Sequence, residues 1–167
     1  MAGRHKPDDF THQPRRDSIY QERVHDPYQS REKYREPTVC PDCTAVFHNG
    51  RWQWGPVPDG AHRHRCPACA RIHDRVPAGI LTIEGDYFAA HKAEILSLVH
   101  HHEAQENVEH PLERIIAIDE QGQGATISFT GVHLARGTGE ALRHACHGEL
   151  TIDFNDKDDL IRVSWKR

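Results

Sequence analysis

The second half of the chain alternates between helical and strand periodicity. Between Asp86 and about Glu106, apolar residues recur at the spacing of one helix face, at Phe88, Ile95, Leu98 and Val99. The runs 113–119 (ERIIAID) and 125–130 (ATISFT) are rich in β-branched residues. A glycine-containing turn, EQGQG, joins them. This pattern predicts a helix followed by a β-hairpin.

The same order of elements then repeats. Residues 131–147 have helical spacing, with Leu134, Leu142 and Ala145 on one face and Gly148 as a C-cap. The alternating runs 149–154 (ELTIDF) and 160–165 (LIRVSW) flank a polar turn and predict a second hairpin. Residues 81–167 are therefore predicted to form an α+β domain, with helices on one face of a four-stranded antiparallel sheet.

Residues 38–80 have few aliphatic side chains but contain four cysteines in two CPxC pairs. Cys40 and Cys43 are separated by 22 residues from Cys66 and Cys69. Two such pairs, brought together by an intervening hairpin, complete a tetrahedral site. We therefore predict a zinc ribbon that holds one structural Zn²⁺. Four thiolates leave no open coordination position for catalysis.

The first 37 residues form a mixed-charge arm, with eight Lys and Arg against seven Asp and Glu. So few apolar residues cannot offset the chain entropy of folding, and the arm is predicted to be disordered. The net charge of the whole chain is −4, so a site for nucleic acid must be local. The chain has no apolar run of membrane-spanning length and no signal-peptide pattern at its start, which predicts a cytoplasmic protein without a membrane partner.

Arginines and tryptophans cluster around the cysteine pairs. Together they are typical of proteins that grip phosphate and stack on unpaired bases. Two alternatives remain for the same residues: the tryptophans form the ribbon core or its contact with the second domain, and the arginines form a solvated face. The candidate RNA-binding residues are Arg51, Trp52, Trp54, Arg63, Arg65, Arg71 and Arg75.

Other reactive side chains do not form a recognisable catalytic set. Cys146 lies beside His144 and His147, but no orienting acid follows at a known spacing, so it is interpreted as a small apolar side chain. His48, His62, His64 and His73 are alternative metal ligands near the cysteines. The sequence therefore predicts a protein that is not an enzyme.

The CPDC and CPAC pairs, the RHRCPAC arm and the later HLARGTGEAL, GEL and LIRVSW segments together resemble an uncharacterised family of small bacterial zinc-ribbon proteins. This resemblance covers roughly residues 38–167. The ribbon is also similar, more weakly, to the N-terminal cysteine-rich region of the archaeal and eukaryotic adaptor for export of the large ribosomal subunit. The resemblance implies association with the ribosome or with structured RNA, under stress or during subunit maturation.

Two functions follow as competing expectations. In the first, the arginine-rich ribbon binds the ribosome or structured RNA. In the second, the protein is an adaptor between proteins. Its C-terminal part, with 15 acidic and eight basic residues over 81–167, then meets a basic partner while the zinc is only structural.

Overall fold

The computed structural model describes residues 26–28, 33–155 and 159–167. The part that we call the cysteine lobe, residues 33–75, contains a four-stranded sheet in the order β3-β2-β1-β4 and one short helix. The strands β1 and β4 are parallel and the other pairs are antiparallel. The elements are β1 (Thr38–Val39), β2 (Val46–His48), β3 (Arg51–Gln53), β4 (His62–Arg63) and α1 (Pro67–Asp74).

The sheet lobe, residues 79–155 and 159–167, contains a five-stranded sheet in the order β6-β7-β5-β9-β8. Its strands β5 and β9 are parallel, and the remaining pairs are antiparallel. The elements are β5 (Gly79–Glu84), α2 (Asp86–Glu109), β6 (Ile115–Gln121), β7 (Gly124–Phe129), α3 (Val132–Cys146), β8 (Glu149–Asn155) and β9 (Leu160–Lys166).

The predicted four-stranded antiparallel sheet was wrong, although the α+β class and both hairpins are confirmed. The missing strand is β5, whose sequence GILTIE forms the centre of the sheet between β7 and β9. Because β5 joins the two hairpins, it turns two antiparallel pairs into one mixed sheet. The predicted boundary between the domains at residue 80 falls inside this strand.

Both helices of the sheet lobe pack on the same face of the sheet. Alternate residues of the central strands, such as Leu81, Ile127 and Val163, share one buried core with α2 and α3. On α3 the buried stripe includes Leu134 and Leu142, as predicted. The prediction that Ala145 also belongs to this stripe was wrong. The next position on the buried face comes four residues after Leu142, at the half-buried Cys146, and Ala145 is exposed.

Most of the predicted disordered arm, at 1–25 and 29–32, lies outside the described residues. The remainder contacts the cysteine lobe. The carboxylate of Asp26 accepts a hydrogen bond from the guanidinium of Arg71 at 2.7 Å. Tyr34 packs edge-on against Phe47 and Trp52, with ring centroids 5.0 and 5.4 Å apart. Residues 33–37 therefore belong to the cysteine lobe.

None of the helices in the described ranges combines the length and the apolar character that crossing a membrane requires.

Candidate metal centre

The four predicted ligand cysteines meet at one point of the cysteine lobe. Their sulfur atoms all lie within 4.8 Å of one another, and the Sγ atoms of Cys43 and Cys66 are 3.7 Å apart. A tetrahedron with metal–sulfur bonds of 2.3 Å has edges of about 3.8 Å, whereas a disulfide needs about 2.05 Å. All five cysteines of the chain are free. The donor set therefore fits a tetrahedral metal ion.

The first cysteine pair lies on a tight turn after β1. The amide of Cys40 donates to the carbonyl of Ala45 at 2.8 Å, and the amide of Thr44 donates back to the carbonyl of Cys40 at 2.9 Å. Pro41, with its fixed φ, follows the first ligand directly. These contacts hold the Cys40 and Cys43 thiols on the same side of the turn.

The second pair lies at the start of a helix. A zinc ribbon would instead place this pair on a second hairpin. Cys66 is the N-cap of α1, and its sulfur accepts a hydrogen bond from the amide of Cys69. Pro67 occupies the first helical turn, where its missing N–H costs nothing. The three-residue spacing of the helix therefore turns both sulfurs toward the first pair.

Backbone amides also donate to the sulfurs. The amide of Cys66 lies 3.3 Å from the Cys40 sulfur, and the amide of Cys69 lies 3.4 Å from the Cys66 sulfur. Burial alone would raise the pKa of Cys40, but backbone hydrogen bonds from Cys66, Cys43 and Asp42 lower it to about 7. Burial and then the nearby thiolates raise the pKa of the Cys66 thiol above its ordinary value. A metal ion would displace the protons that this crowding retains.

Three of the thiols are almost completely enclosed. Cys40 and Cys66 are 0 % exposed and Cys69 is 7 % exposed, while Cys43 is half-buried. Within the described ranges, these cysteines are the one group of His, Cys, Asp and Glu side chains arranged to hold a metal ion. The alternative ligands, His48, His62, His64 and His73, are exposed and do not belong to it.

Arg114, which the sequence did not indicate as part of the site, reaches the cysteines from the sheet lobe. Its Nη2 atom donates to the sulfur of Cys69 at 3.1 Å and to the sulfur of Cys66 at 3.4 Å. Burial lowers the pKa of Arg114, but the hydrogen bond and the charge of Cys69 raise it more. No local signal could identify this residue, since 45 positions separate it from its nearer sulfur partner in the sequence.

The two tryptophans lie in different environments, and each matches one of the structural roles expected as an alternative to base stacking. Trp52 is 8 % exposed and packs with Phe47 in the core of the cysteine lobe, their ring centroids 5.6 Å apart. Trp54 is 39 % exposed, and its indole N–H donates to the carbonyl of Asn107 on α2 at 2.6 Å. One tryptophan therefore builds the core and the other contacts the second lobe.

The candidate arginines do not form one cluster. Arg71 is 6 % exposed, with its guanidinium between the Asp26 carboxylate and the Tyr28 ring, so it is not available to RNA. Arg51, Arg63, Arg65 and Arg75 are exposed. The strand order places Arg51 and Arg63 on the two opposite edges of the small sheet. Arg65 is paired with Asp42 at 2.5 Å.

A cavity of about 610 Å³ lies between the two lobes, next to the helix that carries Cys69. Residues from both lobes line it, including Arg71, Glu113 and Phe154. The Glu113 carboxylate binds the start of α3: Oε2 of Glu113 accepts a hydrogen bond from the amide of Leu134 at 3.0 Å. This contact makes Glu113 a helix cap.

Comparison of the chain with protein-family models, with curated proteins and with solved structures gave no significant match in any of the three.

Proposed function

We propose that the protein is a non-enzymatic, cytoplasmic binding protein that contains one structural Zn²⁺ and associates with the ribosome or with structured RNA. The observation that carries the RNA proposal is the exposed basic edge of the cysteine lobe. There His62, Arg63, His64 and Arg65 stand in succession, all exposed, directly before a metal ligand. Free thiols in a metal-binding arrangement are typical of a reducing compartment.

Zinc is the metal that the donor set favours. Four thiolates are soft ligands, and a closed tetrahedral set of four sulfurs is typical of structural zinc. We expect metal analysis of the purified protein to give about one zinc per chain. We also expect the Cys40→Ser variant to lose the metal together with the fold of the cysteine lobe. A chain without bound metal, or a variant that keeps its structure, would refute this part of the proposal.

Contact with RNA would be made to phosphates more than to bases. The strand β4 lies at the edge of the small sheet, and both of its residues are exposed. Base stacking has little support, since Trp52 is buried and the indole N–H of Trp54 is bonded to Asn107. Arginine contacts to phosphate depend strongly on salt and weakly on sequence. The ribosomal part of the proposal rests on the resemblance that the sequence motifs suggest.

Co-sedimentation with ribosomes at salt concentrations from about 50 to about 200 mM tests this contact. We expect the double variant Arg63→Ala/Arg65→Ala to bind more weakly and to lower the salt slope by about one for each arginine removed. The matched control is Arg136→Ala/Arg143→Ala, which removes the same charge from exposed positions on α3. Binding that is insensitive to salt, or equal losses in both double variants, would contradict the proposal.

An exposed apolar edge favours the adaptor as a second candidate function. The strand β8 lies at one edge of the large sheet, and its Ile152 and Phe154 are 38 % and 50 % exposed. Such an edge can pair with an extended segment of a partner protein. In the co-sedimentation assay, an adaptor should lose association with Phe154→Lys and keep it with Arg63→Ala/Arg65→Ala. The control is Val108→Lys, at a position on α2 that is 71 % exposed.

A further inference from the structure

Arg114 brings a cation from the sheet lobe to the sulfurs of the cysteine lobe. Both hydrogen bonds of its guanidinium within the described residues end on sulfur, at Cys66 and Cys69, and its Nε atom is buried there without a partner. The two sulfurs belong to the pair at the start of α1. The contact therefore crosses the junction between the lobes.

The backbone on either side of Arg114 is held firmly. The amide of Arg114 donates to the hydroxyl of Thr130 at 2.9 Å, and the amide of Thr130 donates to the carbonyl of Arg114 at 2.9 Å. The amide of Ile115 donates to the Glu103 carboxylate on α2 at 2.7 Å. These hydrogen bonds attach the Arg114 segment to Thr130 and to α2, so the guanidinium connects the sheet lobe directly to the two sulfurs.

We propose that Arg114 is a positioning residue of the metal centre, whose charge both stabilises the bound metal and makes docking of the sheet lobe depend on that metal. The proposal rests on the structural metal ion proposed above. A divalent ion with four thiolates carries a net charge of −2 in a site where three of the sulfurs are nearly or fully buried. A guanidinium that donates to two of these sulfurs offsets part of that charge.

The dependence is reciprocal. While the metal holds the sulfurs as thiolates, the guanidinium has charged acceptors in its buried position. When the metal leaves, nothing holds the four sulfurs at one point, and the half-buried guanidinium loses the pair of sulfur acceptors that it bridges. The junction around Arg114 should then open, although Arg114 itself is not a ligand. Metal loss would thereby reach the sheet lobe.

Chelator competition, with zinc alone as the ligand, tests whether Arg114 stabilises the bound metal. We expect Arg114→Met to weaken zinc binding by about 10–100-fold, as for other residues that hydrogen-bond to metal ligands. Arg114→Lys should weaken zinc binding less than Arg114→Met, because lysine keeps the positive charge. Some affinity should still be lost, because lysine has no planar guanidinium that can donate to two sulfurs. The control, Arg136→Met, changes an exposed arginine that pairs with Glu140, and should bind zinc as the parent does. Parent-like affinity in both Arg114 variants would overturn the proposal.

Hydrogen exchange of the unmodified protein measures the second half and does not depend on any variant folding. We expect chelation to accelerate exchange at the amides of Arg114, Ile115 and Thr130 by at least about tenfold, since local opening removes their protection. Amides in the middle of β5 and β9 should change little. Unchanged exchange at these three junction amides would overturn the coupling. A parent protein that contains no metal from the start would instead refute the proposed zinc centre, so the two failures are distinguishable.

Discussion

At the scale of single residues, the turn that carries the first two cysteines contains a strained threonine. Thr44 directly follows Cys43 and has a φ of 66°, in the left-handed region that favours glycine. A β-branched side chain is costly there because its Cβ crowds the following carbonyl. Thr44 is exposed, so its side chain recovers little of this cost by burial. This turn brings the thiols of Cys40 and Cys43 into the group of four that could hold a metal ion.

We predict that Thr44→Gly stabilises the metal-bound protein by about 0.5–1 kcal/mol, since the relief of strain exceeds the greater flexibility of glycine in the unfolded chain. Denaturant unfolding of the zinc-loaded protein gives the free energy directly. Thr44→Ala is the control, because it removes the same hydroxyl and methyl groups but keeps a Cβ at the strained position. A gain as large in the alanine variant would assign the effect to the side chain and not to the backbone.

A second residue with a specific role is Glu113, the cap of α3. Burial raises the pKa of its carboxyl group, while the hydrogen bond from the Leu134 amide partly opposes that rise. Because the pKa is raised by folding, this group contributes stability below its unfolded pKa of about 4.3. That contribution is lost as the pH rises through the folded pKa. At neutral pH, keeping this buried carboxylate ionised therefore lowers the free energy of unfolding.

We predict that Glu113→Gln becomes more stable relative to the parent as the pH rises from about 5 to about 7.5, because glutamine does not ionise and can still accept from Leu134. Glu113→Ala should lose about 1 kcal/mol of stability through the missing cap. Urea unfolding at both pH values, with equal metal content confirmed in each protein, measures these differences. A glutamine variant whose advantage shrinks with rising pH would show that the sign of the shift is wrong.

At the scale of elements, the sequence predicted those whose periodicity is local and missed those fixed by distant partners. The helix near Asp86 and both hairpins were predicted because each has its own apolar pattern and turn. The strand β5 was missed because its nearly continuous apolar run, ILTI, has no distinct alternation and follows the cysteine segment closely. Its neighbours, β7 and β9, lie far along the chain, so no local pattern could indicate the mixed sheet.

The contact between β5 and α3 depends on a glycine at the start of that strand. A Cβ added at Gly79 would overlap the methyl group of Ala135 on α3 and crowd the side chain of Ile161 on β9. We predict that Gly79→Ala destabilises the protein by about 1–3 kcal/mol through overpacking. The control is Gly55→Ala, where an added Cβ meets open space and φ is not positive. Thermal unfolding compares the two, and equal midpoints would contradict the prediction.

At the scale of the whole molecule, the metal ligands were predictable and the setting of the site was not. The CPxC spacing identified Cys40, Cys43, Cys66 and Cys69 because two thiols at that spacing can reach one ion from a single turn. Arg114 joins the site only through the docking of the lobes, which depends on the complete fold. The same docking bonds Trp54 to Asn107, and contacts with Asp26 and Tyr28 bury Arg71. Neither change in the predicted RNA surface could be inferred from the sequence near these residues.

The two lobes have separate cores, so metal removal should affect them unequally. The core of the cysteine lobe contains three of the four ligand cysteines together with Ala45, Phe47, Trp52 and Ala68. The sheet lobe has a larger aliphatic and aromatic core that includes no ligand. A core so dependent on its ligands rarely remains folded without the metal. We therefore predict that a chelator unfolds the cysteine lobe and leaves the five-stranded sheet folded.

Tryptophan fluorescence separates the two lobes in this experiment. Trp52 and Trp54 report on the cysteine lobe, whereas Trp165 is fully buried in the sheet lobe, with its indole N–H bonded to the carbonyl of His147 at 2.7 Å. In a Trp165→Phe variant, chelation should shift the emission to longer wavelength as Trp52 becomes exposed. In a Trp52→Phe/Trp54→Phe variant the emission of Trp165 should stay unchanged. A shift of both signals at the same chelator concentration would show that the lobes unfold as one cooperative unit, with the metal holding the entire fold.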